Sequence, residues 1–337
     1  LAGLVDPKHT QVRGHRASSF EDVAREYCRL YGMTAISGAE AVRQYHTTSD
    51  FALTTANVLG NMVSRIIPQR EPAIMRAARK ITRPNYHAGS MLSLSAASPM
   101  QNVNEAGELK SVTVDEKGEA MPVPRDLGAL FNITERALKQ DVQGVFAQLT
   151  DSMVRAAMEK LRKDALVPLL ANSGNGQTML DGQPMFHAAH GNKAASGAAL
   201  SVTTLSNART AMRLQVGSQG EKLAVEPWAL VVHPAQETLA QQLLASLDAT
   251  QVADVNPFGD GKLELIVEPG LTSATGWYLV GDPGAYEGLA VATLEGLEMP
   301  SIQTRAAWST IGLEMRVVWA LDARFVETAS WYFNAGA

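Results

Sequence analysis

The sequence predicts an α+β protein, and three observations support this. One apolar stripe at helical spacing runs through residues 141–170. Short apolar runs bounded by turn residues alternate with helical patterns between about 222 and 300. Two stretches, 1–50 and 81–130, lack the steady apolar period that a core requires. A body with a long central helix, a mixed strand and helix lobe and two extensions follows.

The elements are justified in chain order. LAGLVDPKHTQVRGHRASS has no period and reads as extended. FEDVAREYCRLY, 20–31, places Phe20, Val23, Ala24, Tyr27 and Tyr31 on one helical face, with Ser18 or Ser19 as cap. ALTTANVLGNMVSRII reads as a second helix that ends near Pro68. Between 81 and 130 small residues dominate and SVTV, 111–114, is a strand between bends. A stretch of that length without a core is unusual in a compact domain. It fits a two-stranded ribbon that is marginal alone and needs another surface to lie on.

Val142, Val145, Phe146, Leu149, Met153, Ala157 and Leu161 recur three and four apart. A helix over 141–170 would span roughly 40 Å at 1.5 Å per residue, with Pro168 as a kink or stop. Residues 171–200 are rich in Gly, Ala, Ser and Asn and read as a loop. TLSNARTAMRLQ, 204–215, resumes a helix. WALVVH is a buried strand, and Pro234 opens the helix AQETLAQQLLASL. KLELIVE, WYLVG and LAVATL are further strands, and 308–321 and 323–333 are two long closing ones.

Composition narrows the classes. Apolar residues make up 46% and charged residues 19%, the latter below the roughly 25% of an average soluble protein. Low surface charge density eases packing against other copies. The net charge of -5 argues against a general polyanion binder. One basic group stands out: Arg65, Arg70, Arg76, Arg79, Lys80 and Arg83, opposed only by Glu71. It reads as a solvated or intersubunit face, facing the acidic 105–119 segment of a neighbour or else DNA. Cys28 is the single cysteine, so neither an intrachain disulfide nor a cysteine-based zinc cluster can form. No apolar run approaches the roughly 18 residues of a membrane span, and no secretory signal pattern is present.

Chemical motifs are weak. His187 and His190 in FHAAHGN would share a face if helical, and with a third ligand such as Asp181 they could hold a metal. HxxH lacks the glutamate of HExxH, and Gly191 and Asn192 break a helix at once. The pair reads as a loop element oriented by side-chain hydrogen bonds. GNGQT, 174–178, lacks the GK[ST] ending of a phosphate loop. GDPG, 281–284, reads as a turn after a strand, and NPFGDG with Asp254 and Asp260 as a loop. No GxSxG elbow occurs. No catalytic, cofactor-binding or metal residue and no cofactor is assigned.

Several stretches carry a resemblance. HTTSDFALTTANVLGNMV (46–63), PMFHAAHGNKA (184–194), LSNARTAMRLQ (205–215), WALVVHPAQETLAQQLL (228–244), WYLVGDP (277–283), LEGLEMP (294–300) and the final NAGA are similar to the major head subunit of Mu-like tailed phages and prophages. The likeness covers about residues 44–337 and is weak before that.

The resemblance implies the HK97-like tailed-phage capsid fold. It makes 1–50 the N-terminal arm, 51–77 a peripheral-domain segment and 78–130 the extended loop. Residues 131–221 become the peripheral domain with spine helix 141–170 and loop 171–200. Residues 222–305 become the axial domain, and 306–337 strands that return to the peripheral domain. It further implies self-assembly as pentamers and hexamers into an icosahedral shell around double-stranded DNA, held without sequence specificity. Portal, scaffold, prohead protease and decoration proteins are the implied partners, with no membrane. The implied location is the virion capsid, assembled in the host bacterial cytoplasm. An opening at Leu1 suits trimming by a protease or the ordered part of a longer chain. Some relatives crosslink Lys to Asn beside a Glu. Lys110 and Lys117 lie in the extended loop, but nothing identifies acceptors for them, so no crosslink is expected. Three readings compete: an encapsulin-like compartment shell, a metal-dependent hydrolase built on His187, His190 and Asp181, and a nucleic-acid-binding module using Arg65 to Arg83.

Overall fold

The computed structural model describes residues 71–92, 118–134, 145–217, 220–244, 263–306 and 312–337, with Arg25, Cys28, Arg29, Ile67 and Arg70. The expected arm, helix 52–67, strand 111–114 and the Asp254–Asp260 loop otherwise lie outside the described residues. Arg25, Cys28 and Arg29 are helical, and Cys28 is buried. The chain divides into two compact units. One holds Leu1–Glu71, Arg125–Lys160 and Leu294–Ala320, and the other Pro72–Pro124, Leu161–Thr293 and Leu321–Ala337.

The strands are β1 (Ala78–Arg83), β2 (Ser90–Leu92), β3 (Gly118–Ala120), β4 (Arg125–Thr134), β5 (Pro227–Val232) and β6 (Glu264–Val267). They continue as β7 (Trp277–Gly281), β8 (Leu289–Leu294), β9 (Ser301–Ala306), β10 (Gly312–Phe325) and β11 (Trp331–Asn334). The helices are α1 (Val145–Gly174), α2 (Val202–Arg213) and α3 (Glu237–Leu244).

The larger unit is built on a four-stranded sheet of order β11-β7-β5-β6, with β5 and β6 parallel and the other pairs antiparallel. Alternation along these strands splits their side chains between two faces. Leu230, Val232, Trp277, Leu279 and Tyr332 join Leu205, Ala208 and Met212 of α2 and Ala240 of α3 in one core. Tyr278, Trp331 and Phe333 form an aromatic cluster with Phe186 and Phe325, the Tyr278–Phe333 centroids 4.8 Å apart. With both faces covered, the strands read as unbroken apolar runs. Burial pushes the hydroxyl pKa of Tyr278 and of Tyr332 upward. Ser201 caps α2: its Oγ accepts the Thr204 amide at 3.2 Å while Thr204 Oγ1 accepts the Ser201 amide at 2.9 Å.

α1 buries Met153, Val154, Met158, Leu161, Ala165, Leu166 and Leu169, and Val154, Met158, Leu161 and Ala165 among them are three and four apart. Ala157, expected in the stripe, is half-buried. Pro168 sits inside the helix and does not end it. The end comes at Ala171, which is extended, followed by Asn172 and Ser173 with φ of 51° and 58°. Asn tolerates this left-handed region, and Asn172 Nδ2 donates to the Gly176 carbonyl at 2.8 Å. In the larger unit Arg162 Nη1 donates to Glu268 Oε1 at 2.9 Å. Leu166 lies so close to Gly270 that a Cβ there would fall 2.3 Å from Leu166 Cδ1.

A second sheet has the order β1-β8-β10-β4, with β9 also on β10. In the larger unit β10 pairs β8 from Leu321↔Thr293 to Phe325↔Leu289. In the smaller unit it pairs β9 from Leu313↔Ala306 to Val318↔Ser301. Two boundary expectations need correction. β1 and β4 are strands of this sheet, so the segment off the body is narrower than 78–130. The two closing strands divide at 326–330 rather than at 322, because β10 continues to Phe325 before the chain turns. β11 pairs β7 and so completes the four-stranded sheet, and Phe333 also bridges Lys193 of the 171–200 loop. Its alternating Trp331, Tyr332 and Phe333 are buried on both faces although β11 is the edge strand of the sheet order.

Candidate assembly elements

The base of the ribbon is the first. β2 and β3 pair antiparallel, Ser90 with Ala120 and Leu92 with Gly118. Leu92 and Gly118 are therefore neighbours at the end of this pairing. Met121 N–H donates to the Gly89 carbonyl at 2.8 Å and extends the pairing. Arg83 lies beneath, 9% exposed, with Nη2 on the His87 carbonyl and Nη1 3.0 Å from Met121 Sδ. Glu119 Oε1 accepts the Leu180 amide at 2.8 Å and ties β3 to the turn at 178–184. Val123 N–H donates to Asp322 Oδ2 at 3.1 Å. Together these contacts fix the base to the larger unit.

The histidine loop comes next. Thr178 and Pro184 bridge antiparallel across a tight turn. A short 3-10 helix covers Ala188–His190 and ends at Gly191 with φ of 64°. His187 is its cap, and its Nδ1 accepts the Ala189 amide at 3.2 Å. His190 places Nδ1 2.9 Å from the Met185 carbonyl and Nε2 2.7 Å from Asp181 Oδ2. The two rings lie edge to face, centroids 6.1 Å apart. Burial raises the Asp181 pKa, but hydrogen bonds from His190 and the Gln183 amide, with attraction to His190, outweigh it and lower it overall. The structure brings Asp181 to His190 but spends Nδ1 of each ring on backbone. Among the described residues no group of three or more His, Cys, Asp and Glu could hold a metal.

Sequence reading missed the residue that holds this loop. Asn192 is fully buried. Its Nδ2 donates to the Met185 carbonyl at 2.8 Å and the Thr328 carbonyl at 3.0 Å, and its Oδ1 accepts the His187 amide at 3.1 Å. Its own carbonyl accepts the Phe333 amide of β11 at 2.9 Å. Gln177 acts similarly on Phe325, donating to its carbonyl at 2.7 Å and accepting its amide at 3.1 Å. A polar residue in a small-residue loop gives no periodic signal.

The basic group does not form an open cationic face. Arg70 pairs with Asp151 at 3.1 Å, Arg76 with Glu264, and Arg79 with Glu287 at 3.1 Å, while Arg83 is buried. Arg65 lies outside the described residues. Arg70, Arg76 and Arg79 thus find carboxylates within their own chain.

In the smaller unit α1 and β10 line an apolar groove with β4, involving Leu127, Phe131, Met153, Ala157, Val317 and Trp319. The other side of these strands carries Leu130, Gln303, Arg305, Glu314 and Arg316 around a groove of about 370 Å³. No helix among the described residues is long and apolar enough to cross a membrane.

Comparison with known proteins defines the class as a shell-forming structural protein. Residues 121–332 match the phage capsid protein family, and this chain belongs to it. The match bears out the resemblance to a phage head subunit read from the sequence. Among solved structures it is similar to one from Microbacterium phage Oxtober96, with 11% identity over 79% of this chain and 91% of that chain, TM-score 0.49. It is also similar to the holo-SrpI encapsulin complex of Synechococcus elongatus, with 10% identity over 78% and 86%, TM-score 0.48. A virus-like particle from Pyrococcus furiosus shares 13% identity over 85% of this chain and 100% of that chain, TM-score 0.45. No curated protein matches the chain.

Proposed function

We propose that this chain is the major capsid subunit of a tailed phage or prophage, assembling as pentamers and hexamers into an icosahedral shell around double-stranded DNA. The observation that carries the reading is the pinned pairing of β2 with β3, in which Leu92 and Gly118 are paired neighbours. Shells are built from repeated interfaces whose angles vary slightly between five-fold and six-fold settings. An excursion anchored at one point can bury area on a neighbour while the bodies tilt. At about 25 cal/mol per Å² of apolar surface, a few hundred Å² suffices to matter at each contact, less the ordering cost.

In this reading residues 1–50 are the arm, α1 is the spine helix, and 222–305 with β11 form the axial domain. The extended loop is the stretch between β1 and β4. Portal, scaffold, prohead protease and decoration proteins are the partners it implies, and assembly takes place in the bacterial cytoplasm. The test is negative-stain microscopy of the expressed chain and of a variant in which a short turn replaces 93–117. Closed shells from the first and a soluble body without shells from the second are expected. Normal shells from the deletion would refute the reading. Shells that hold protein and no nucleic acid would mark an encapsulin-like compartment instead.

A further inference from the structure

We infer that Arg83, with the open position at Gly89, is a receptor for one carboxylate that a second copy of this chain supplies when subunits associate. The receptor stands on the geometry of the single chain. Only the source of the carboxylate rests on the shell reading.

Arg83 is the last residue of β1 and is 9% exposed. A guanidinium carries five N–H donors and a permanent charge. Two donors are engaged: Nη1 lies 3.0 Å from Met121 Sδ, and Nη2 donates to the His87 carbonyl. Both partners are neutral. Nε is buried and has no partner. No carboxylate among the described residues pairs with this cation. Arg76 and Arg79, just before it, have Glu264 and Glu287. Glu119 of β3 gives its Oε1 to the Leu180 amide. A buried charge without a counterion is strongly unfavourable, so the site is incomplete in the single chain.

Gly89 marks the place of the counterion. A Cβ there would fall 3.7 Å from Nη1 and 3.7 Å from Nη2. That point is equidistant from the two ends of the fork, where the carbon of a bidentate carboxylate belongs. Glycine leaves it vacant, and each Nη keeps one hydrogen beyond its present bond. One guanidinium balances one carboxylate, whereas a phosphate dianion calls for a second cation. Residues 84–90 are exposed throughout, so the approach is from outside the body. Tyr86, 47% exposed on the same turn, offers a ring that a protein partner can cover and a free anion cannot. Copies of this chain carry carboxylates in surplus, with 34 acidic against 29 basic residues.

The test uses the full chain. Gly89→Ala keeps Arg83 and its bonds, and a Cβ at 3.7 Å is ordinary contact. Its unassembled subunit should unfold at an unchanged urea midpoint, while shell yield falls at least about tenfold. Arg83→Met removes the cation. Its midpoint should hold or rise, because no carboxylate is stranded, and its shell yield should fall as in Gly89→Ala. Formate probes the receptor directly. Against chloride at equal ionic strength, it should raise the melting temperature of the unassembled parent and slow its assembly, and do neither in the two variants. Normal shell yield for Gly89→Ala overturns the inference. A lowered midpoint for Arg83→Met, with formate inert on the parent, overturns it in favour of a carboxylate from the same chain. A formate effect confined to the parent, with all shell yields equal, overturns it in favour of a free carboxylate. If the parent forms no shells, the shell reading falls and the second copy with it. The melting shift in formate then still decides the receptor, and its absence overturns that too.

Discussion

Replacing Asn192 by alanine tests the account of the larger unit. Three side-chain hydrogen bonds disappear, to the Met185 carbonyl, the Thr328 carbonyl and the His187 amide. Each contributes a net stabilisation of about 1 kcal/mol. The Met185 carbonyl keeps the His190 ring at 2.9 Å, so the added desolvation falls on the His187 amide and is about 1 kcal/mol. The expected loss is about 3–5 kcal/mol, a large share of the 5–15 kcal/mol that holds a typical domain. It should appear as a lower urea midpoint followed by tryptophan fluorescence, since Trp277 and Trp331 lie in the sheet this loop covers. Amide exchange at Phe333 should quicken as well, because that N–H donates to the Asn192 carbonyl. Ser196→Ala, at an exposed position of the same loop, should stay within about 0.5 kcal/mol. A loss under about 1 kcal/mol for Asn192→Ala would refute the claim that this side chain holds the loop to β11.

Two further outcomes follow from charge. Glu268 is 1% exposed and depends on Arg162 and the Gly270 amide, so Arg162→Met should destabilise by about 3–5 kcal/mol through a stranded buried carboxylate. Glu268→Gln should cost only about 1–2 kcal/mol, and equal losses in denaturation would contradict this. Asp181 titrates below the ordinary aspartate value. Its contribution is therefore fully present above the unfolded value of roughly 4 and lost as pH falls through the lower folded value. Amide exchange around Gln183 should quicken over that acid range in the parent. Asp181→Asn should remove the pH dependence, and an unchanged profile in that variant would rule out Asp181 as its source.

What the sequence revealed, it revealed through repetition. Met153 and Leu161 announce α1 because a one-sided helix must repeat its apolar residues, and both are buried. WYLVG and LAVATL mark β7 and β8 at their observed bounds because covered strands are apolar throughout. β4 was invisible: RDLGALFNIT mixes Gly, Asp and Asn, and most of its described residues stay exposed. β9 was missed for a related reason, since SIQTRA carries a polar outer face. The histidine pair was legible as a loop element, but Asp181 meeting His190 across a turn depends on the Thr178–Pro184 bridge.

Thus the sequence alone determined the α+β class, the long helix and the buried strands, because periodic burial writes itself into consecutive residues. Only the tertiary structure decided that Arg70, Arg76 and Arg79 are satisfied at home, that Asn192 binds a loop to β11, and that Arg305 and Arg316 share a groove. Those facts join residues tens to hundreds of positions apart. The partner of a polar side chain is chosen by where the chain returns in space, which no local pattern records.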